Sequence, residues 1–274
     1  MAVRGGVASR LMQVEGSPIL VRAWQPAARR VMVRAEAVDP GAVSVPPPAL
    51  DRLQPPGPAQ LEVAAARMRF GLGVDEDLGD FYVRFRRDPL LGPLIRRRPH
   101  LRPRRRPWPW EALAWAVVKQ LIETGRAARI QRRIVGRWGP RLGEERDQLR
   151  DVPSAGLIAG RAPAELEATG LSPKRSIALA TVAREISAGR VRPADPGSDG
   201  RLLAVPEIGL WTVQCLGLFG RGEPDSLPAG DLMFLKLVGR LARLGRRATV
   251  EEVEEFYAPY APFRGLAGSW TGLL

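Results

Sequence analysis

The hydrophobic period of the chain changes once, from two residues to between three and four, across a proline-rich break, and few architectures accommodate that change. In Ile19-Leu20-Val21-Arg22-Ala23-Trp24, and again in Arg30-Val31-Met32-Val33-Arg34-Ala35-Glu36, apolar and polar residues alternate, as in half-buried antiparallel strands. Between Pro40 and Pro58 the prolines of Pro46-Pro47-Pro48 and Pro55-Pro56 remove backbone donors and fix φ, so an irregular connector is expected. Beyond it Trp110, Leu113, Ala114, Val117, Val118, Leu121 and Ile122 recur at helical spacing and define one apolar face, interrupted at Thr124-Gly125. Ile130, Ile134, Val135 and Trp138 define a second face that stops at Gly139-Pro140. Ser172-Pro173 opens a third helix carrying Ile177, Leu179, Ala180, Val182, Ala183 and Ile186, and Gly189 ends it. The expected fold class is α+β: an N-terminal antiparallel sheet domain followed by a mostly helical core.

With 274 residues, 45% of them hydrophobic, the chain can bury a substantial core. It has no uninterrupted apolar run of about 18 residues and no secretory pattern at its start, so it reads as soluble, cytoplasmic and without membrane contact. Cys215 and His100 each stand alone. That excludes a disulfide framework, a four-cysteine zinc or iron–sulfur site and a serine–histidine triad, and no metal or cofactor is expected.

A formal charge of +13 favours a polyanionic partner, with nucleic acid foremost. Yet of 42 basic residues only Lys119, Lys174 and Lys236 are lysines, beside 29 glycines and 26 prolines, so a compositional bias toward arginine explains part of the charge. The run Arg97-Arg98 with Arg102, Arg104, Arg105 and Arg106 is broken by Pro99, Pro103 and Pro107 and cannot be a regular helix. It reads as a solvated linker or as a phosphate-contacting loop.

The segment with most chemistry runs from Leu202 to Met233. Pro206-Glu207-Ile208-Gly209 forms a tight turn between two short apolar stretches. The first amides of the following helix, around Leu210 to Thr212, lack intrahelical partners there and can hold a phosphate without any side chain. Asp231, before Leu232-Met233-Phe234-Leu235, is suited to cap a helix.

This arrangement resembles the helix-hairpin-helix DNA glycosylase superfamily, in which a Pro-Gly-Ile-Gly-like hairpin precedes a catalytic aspartate by about twenty residues. Asp88-Pro89-Leu90-Leu91-Gly92-Pro93-Leu94, Trp110-Glu111-Ala112-Leu113 running into Lys119-Gln120-Leu121-Ile122, Gly170-Leu171-Ser172-Pro173-Lys174-Arg175 and Leu227-Pro228-Ala229-Gly230-Asp231 resemble the 3-methyladenine DNA glycosylase II branch. The resemblance covers roughly residues 70 to 274. It implies a helix-hairpin-helix glycosylase core and a monomer that acts on double-stranded DNA containing damaged bases, excising alkylated, 3-methyladenine-like bases by base flipping. It also implies a sheet domain at 1–70, a helical subdomain carrying the aspartate at 71–108 plus 226–274, and a central helical subdomain at 109–225.

The implied roles are these. Asp231 stabilises the oxocarbenium-like sugar; Trp211, Gln120 and Cys215 line the base pocket; Leu121 wedges into the gap left by the flipped nucleotide. Ile208, Gly209, Leu210 and Thr212 bind DNA. Trp211 stands where relatives that also cleave the strand carry a Schiff-base lysine, and an indole cannot attack a sugar carbon, so simple hydrolysis is implied. Each residue also has a structural reading: Asp231 as a helix cap, Trp211 and Leu121 as buried packing, Cys215 as a small hydrophobe.

The departures matter too. Glu207 replaces the first hairpin glycine and brings negative charge near the implied phosphate site. Cys215 stands where some members have tyrosine, Gly272 lies near a position where some carry a pocket tryptophan, with Trp270 two residues earlier, and Lys119 and Glu123 replace smaller residues beside the wedge. A non-catalytic DNA-damage-binding protein that keeps the fold is the alternative function.

Overall fold

The computed structural model describes residues 1–46, 53–144 and 148–273. Positions 47–52 of the proline-rich connector, Pro47 and Pro48 among them, lie outside the described residues. Four strands, β1 (Ala2–Arg4), β2 (Val7–Val14), β3 (Ser17–Ala27) and β4 (Arg30–Ala37), form an antiparallel meander. The register sets Met12 opposite Ile19 and Val21 opposite Ala35. On one face Met12, Val14, Ile19, Val21 and Ala23 bury against Ala64 and Met68 of helix α1 (Pro58–Leu72). That helix has proline at its first position and ends at Gly73, whose φ of +66° suits a residue without a Cβ.

The other face of the sheet is partly covered as well. Leu11 and Leu20 pack with Val43, Leu142 and Leu149 of a second sheet made of β5 (Val43–Ser44), β6 (Arg141–Leu142) and β7 (Leu149–Arg150). Two-residue strands have no readable period, and this sheet had no signature in the sequence.

Among the described residues twelve further α-helices follow: α2 (Gly79–Phe85), α3 (Leu91–Arg97), α4 (Pro109–Lys119), α5 (Thr124–Trp138), α6 (Ala155–Ala159), α7 (Pro163–Glu167), α8 (Pro173–Ser187), α9 (Asp199–Leu203), α10 (Leu210–Leu216), α11 (Leu232–Leu241), α12 (Val250–Tyr257) and α13 (Arg264–Thr271). A π-helical turn at Gly217–Arg221 continues α10. The expected α+β class, sheet first and helices after, is the observed one. The helices pack as two buried clusters. One joins α4 to α10, and the other joins α2 and α3 to α11–α13 around Phe81, Phe85, Tyr257 and Trp270. Among the described residues no helix is long and apolar enough to cross a membrane.

A buried ionic knot fastens the sheet to the helices. Arg10 of β2 donates to Glu111 of α4 at 2.6 Å and lies 3.6 Å from Asp151, whose other oxygen accepts the Gln13 N–H at 3.1 Å. Burial pushes the Asp151 carboxyl up to about 6, against the pull of Arg10.

Two expectations are corrected. The tight turn expected near Leu121 to Gly125 is present at Gln120–Glu123, but Thr124-Gly125 open α5 instead of interrupting a helix. Leu121 therefore leaves the apolar stripe on which its spacing placed it. Nor is the arginine run after α3 a solvated linker throughout. Arg105 lies 2.5 Å from Glu76, sits over the Phe70 ring and donates to the Gly222 carbonyl, while the Arg106 amide donates to the Phe219 carbonyl at 2.7 Å.

Candidate active site

The site forms where three separate stretches converge: the turn after α4, the hairpin between α9 and α10, and the start of α11. Residues 206–209 connect α9 to α10, the tight turn expected from Pro206 to Gly209. Gly209 caps α10 in extended backbone, and Ile208 anchors the hairpin in the larger helical cluster at 4% exposure. Glu207 has φ of +69°, a left-handed conformation that penalises a side chain. Its charge is partly offset, since Lys174 of α8 lies 3.5 Å away.

The α4–α5 turn is tied to this hairpin. Gln120 Nε2 donates to the Glu207 carbonyl at 2.8 Å and to Thr212 Oγ1 at 2.9 Å. Beside it Leu121 has φ of +51° and is completely exposed. A fully solvated leucine in a conformation unfavourable for a branched side chain contributes nothing to a core; the buried-stripe reading fails for this residue, and the shape is that of a protruding apolar tip.

Two residues before this tip, Lys119 joins the lining of a cavity of about 1190 Å³, with Arg104, Arg106, Trp211, Cys215 and Asp231 among the others. Asp231 is the N-cap of α11, with Oδ1 accepting the Met233 N–H at 2.9 Å. The cap and the cavity share this side chain: one oxygen is engaged by the helix, and among the described residues no ion pair occupies the carboxylate. Trp211 is half-buried on α10, with Nε1 buried and lacking an acceptor. Burial pushes the Cys215 thiol up, so it is an uncharged part of the wall.

The remaining implied site residues fare differently. Gln120 is absent from the cavity lining, because its amide is spent on the hairpin. Ile208 and Thr212 are buried, and the Thr212 amide donates back to the Gly209 carbonyl at 3.0 Å, so neither offers a free side chain to DNA. Gly209 and Leu210 are exposed. Trp270 is sunk in the aromatic cluster, away from the cavity. The sequence reading gave no role to Lys119, which ends α4 and extends into the cavity beside Asp231. Burial lowers its pKa, Arg106 lowers it further, and Cys215 and Asp231 oppose the shift. Its position outside the apolar stripe offers no signal of this; only the fold of the turn reveals it.

No family model matches the sequence. The chain is 31% identical to a Mycobacterium tuberculosis protein named probable bifunctional transcriptional activator/DNA repair enzyme AlkA over 178 residues, 63% of this chain and 35% of that protein. It is 24% identical to a DNA-3-methyladenine glycosylase of Bacillus subtilis over 65% of this chain and 61% of the relative. It thus spans about a third of the first relative and less than two thirds of the second. Its fold matches that of a 3-methyladenine DNA glycosylase from Archaeoglobus fulgidus with a TM-score of 0.81 at 20% identity, covering 99% of this chain and 87% of the other. Hairpin, capping aspartate and likeness point one way: in sequence the chain resembles the DNA repair enzyme and the DNA-3-methyladenine glycosylase over 63% and 65% of its length, and it shares the fold of the Archaeoglobus protein.

Proposed function

We propose that this protein is a monofunctional DNA glycosylase that flips an alkylated base out of duplex DNA and hydrolyses its N-glycosidic bond, with Asp231 as the catalytic carboxylate. The observation that carries the reading is the shared cavity of Asp231 and Trp211, in a chain that also presents a fully exposed Leu121. The names of the relatives, a DNA repair enzyme and a DNA-3-methyladenine glycosylase, point the same way.

In this reading Leu121 enters the duplex, where burial of its side chain offsets part of the cost of unstacking. The exposed backbone at Gly209 and Leu210 holds a phosphate, and Lys174 shields that phosphate from Glu207. The Trp211 ring, facing a base that carries positive charge, attracts it through its π face. Asp231 then stabilises the positive sugar as the base departs. With an indole at position 211, the reaction ends at an abasic site.

The protein acts as a monomer on chromosomal DNA in the cytoplasm. Its sheet domain (1–70), its Asp231-bearing subdomain (71–108 plus 226–274) and its central subdomain (109–225) correspond to working parts, a division supported by their separate buried clusters. The test is release of free base from methylated duplex DNA by wild type and Asp231→Asn, with a parallel borohydride reaction. Asp231-dependent release without a trapped protein–DNA adduct is expected; undiminished release by the variant, or a trapped adduct, would refute the mechanism.

A further inference from the structure

Positive charge gathers on one face of the molecule that plays no part at the cavity. Between positions 84 and 100 the chain carries six arginines, Arg84, Arg86, Arg87, Arg96, Arg97 and Arg98, against a single carboxylate, Asp88. A bias toward arginine spread over the whole sequence does not place +5 of a total +13 in so short a stretch.

The fold brings these residues together. Arg84 and Arg86 flank the last residue of α2 but one another's neighbour Phe85 is buried, while Arg96, Arg97 and Arg98 end α3 and follow it. Arg96 Nη1 donates to the Arg86 carbonyl at 3.1 Å, so the two helix ends meet. All six arginines are exposed, and none has a carboxylate within 4 Å among the described residues. Asp88 is spent inside the turn: one oxygen accepts the Leu90 and Leu91 N–H groups at 2.8 and 2.7 Å, and the other accepts the Tyr260 hydroxyl at 3.4 Å. Cations favour helix C-termini, but that interaction accounts for a charge or two at each end, not for six.

This face is separate from the cavity that holds Asp231, and none of the six lines that cavity. Phe85 packs against Phe263, which caps the start of α13, whereas Met233, two residues past Asp231, sits against Gly272 at the end of α13. The eight residues of α13, about 12 Å of helix, lie between the two places.

We infer that the arginine face of α2 and α3 is a second DNA-binding surface, which holds the backbone of another duplex while the hairpin and Asp231 engage the first. Duplex DNA carries a charge about every 1.7 Å, and guanidinium groups match its phosphates without reading sequence. No ion pair has to break for them to do so. A protein partner would need aromatic or apolar anchors, and the rings here, Phe81 and Phe85, are buried. The inference goes beyond base excision: a chain that holds two segments passes from one to the other without leaving DNA.

The experiment mixes the full chain at low salt with two short undamaged duplexes, one labelled with a donor and the other with an acceptor fluorophore. The variants change Arg87, Arg97 and Arg98 together, as Arg87→Gln/Arg97→Gln/Arg98→Gln and as Arg87→Lys/Arg97→Lys/Arg98→Lys. None of the three makes a hydrogen bond or ion pair in the fold among the described residues, and circular dichroism establishes that each variant is folded. Wild type is expected to bring the duplexes together, with sedimentation reporting one chain per complex. In the Gln variant energy transfer falls about tenfold and the salt slope of the second binding step drops by about 3, while the first duplex still binds. The Lys variant recovers the transfer, because charge is what releases the counterions.

Undiminished transfer in the Gln variant, complexes that hold two chains, or no transfer by a wild type that binds one duplex overturns the inference. So does a single bound duplex whose affinity rises with its length and falls in the Gln variant, which would put this face on the first duplex. Retention of polyglutamate but not of a second duplex would overturn it in favour of an acidic protein. Because the duplexes are undamaged, failure of base release from methylated DNA overturns the glycosylase reading alone.

Discussion

Replacement of Asp231 by asparagine separates the helix cap this side chain forms from the catalytic role proposed for it. Its Oδ1 caps α11 by accepting the Met233 N–H at 2.9 Å, and asparagine caps helices about as well as aspartate. The substitution thus keeps the cap and removes only the charge. A carboxylate about 4 Å from a full positive charge gains roughly 4 kcal/mol at an effective dielectric of 20. At about 1.36 kcal/mol per decade, the expected loss is about a thousandfold in the rate of bond cleavage.

The assay is single-turnover release of base from methylated duplex, with saturating enzyme so that binding drops out. The unfolding midpoint of the variant should stay within about 1 °C of wild type, because the cap survives. Asp231→Ala provides the contrast: it loses charge and cap together and should also lose about 1 kcal/mol of stability. If Asp231→Asn released base within threefold of the wild-type rate, the electrostatic reasoning would be wrong.

Leu121→Gly removes a side chain that touches no core and relieves a left-handed φ, so stability should rise by roughly 0.5–1 kcal/mol while affinity for lesion-bearing duplex falls about tenfold or more; a destabilised variant, or unaltered affinity, would count against the wedge. Glu207→Gly relaxes φ of +69° in the hairpin and should raise the unfolding midpoint by about 1–3 °C and tighten DNA binding, read by calorimetry and by titration at fixed salt. The Asp151 carboxyl, raised by burial to about 6 in the fold, holds a proton more tightly folded than unfolded. Its contribution to stability is therefore full below about pH 4 and is lost as pH rises through about 6, by about 3 kcal/mol in all. Asp151→Asn should flatten that part of the stability–pH curve in denaturant titrations, and an unaltered slope would show that another group titrates there.

Much of this protein was determined locally and was readable for that reason. A strand's alternation, a helix's three-to-four spacing, a proline at a first helical position and an aspartate that accepts an N–H two residues later all depend on neighbours in the chain. Hence the sheet-then-helices order, the α4–α5 pair, the hairpin at 206–209 and the cap at Asp231 were legible before any coordinates.

What depended on distant partners was not. Leu121 fits the apolar stripe of α4 by spacing, and only the turn at 120–123, tied by Gln120 to a hairpin more than eighty residues away, swings it into solvent. Gln120 itself was read as pocket lining and is consumed by that same tie. Arg105 sits in a run that patterning reads as solvated, yet Glu76 and the Phe70 ring enclose it. The knot of Arg10, Glu111 and Asp151 joins three remote stretches, and Lys119, at the end of α4, lines one cavity with Asp231, which caps α11 far along the chain. Spacing along a chain encodes which face a residue occupies; which surfaces that face meets is set by packing, and here packing decided the charge around Asp231.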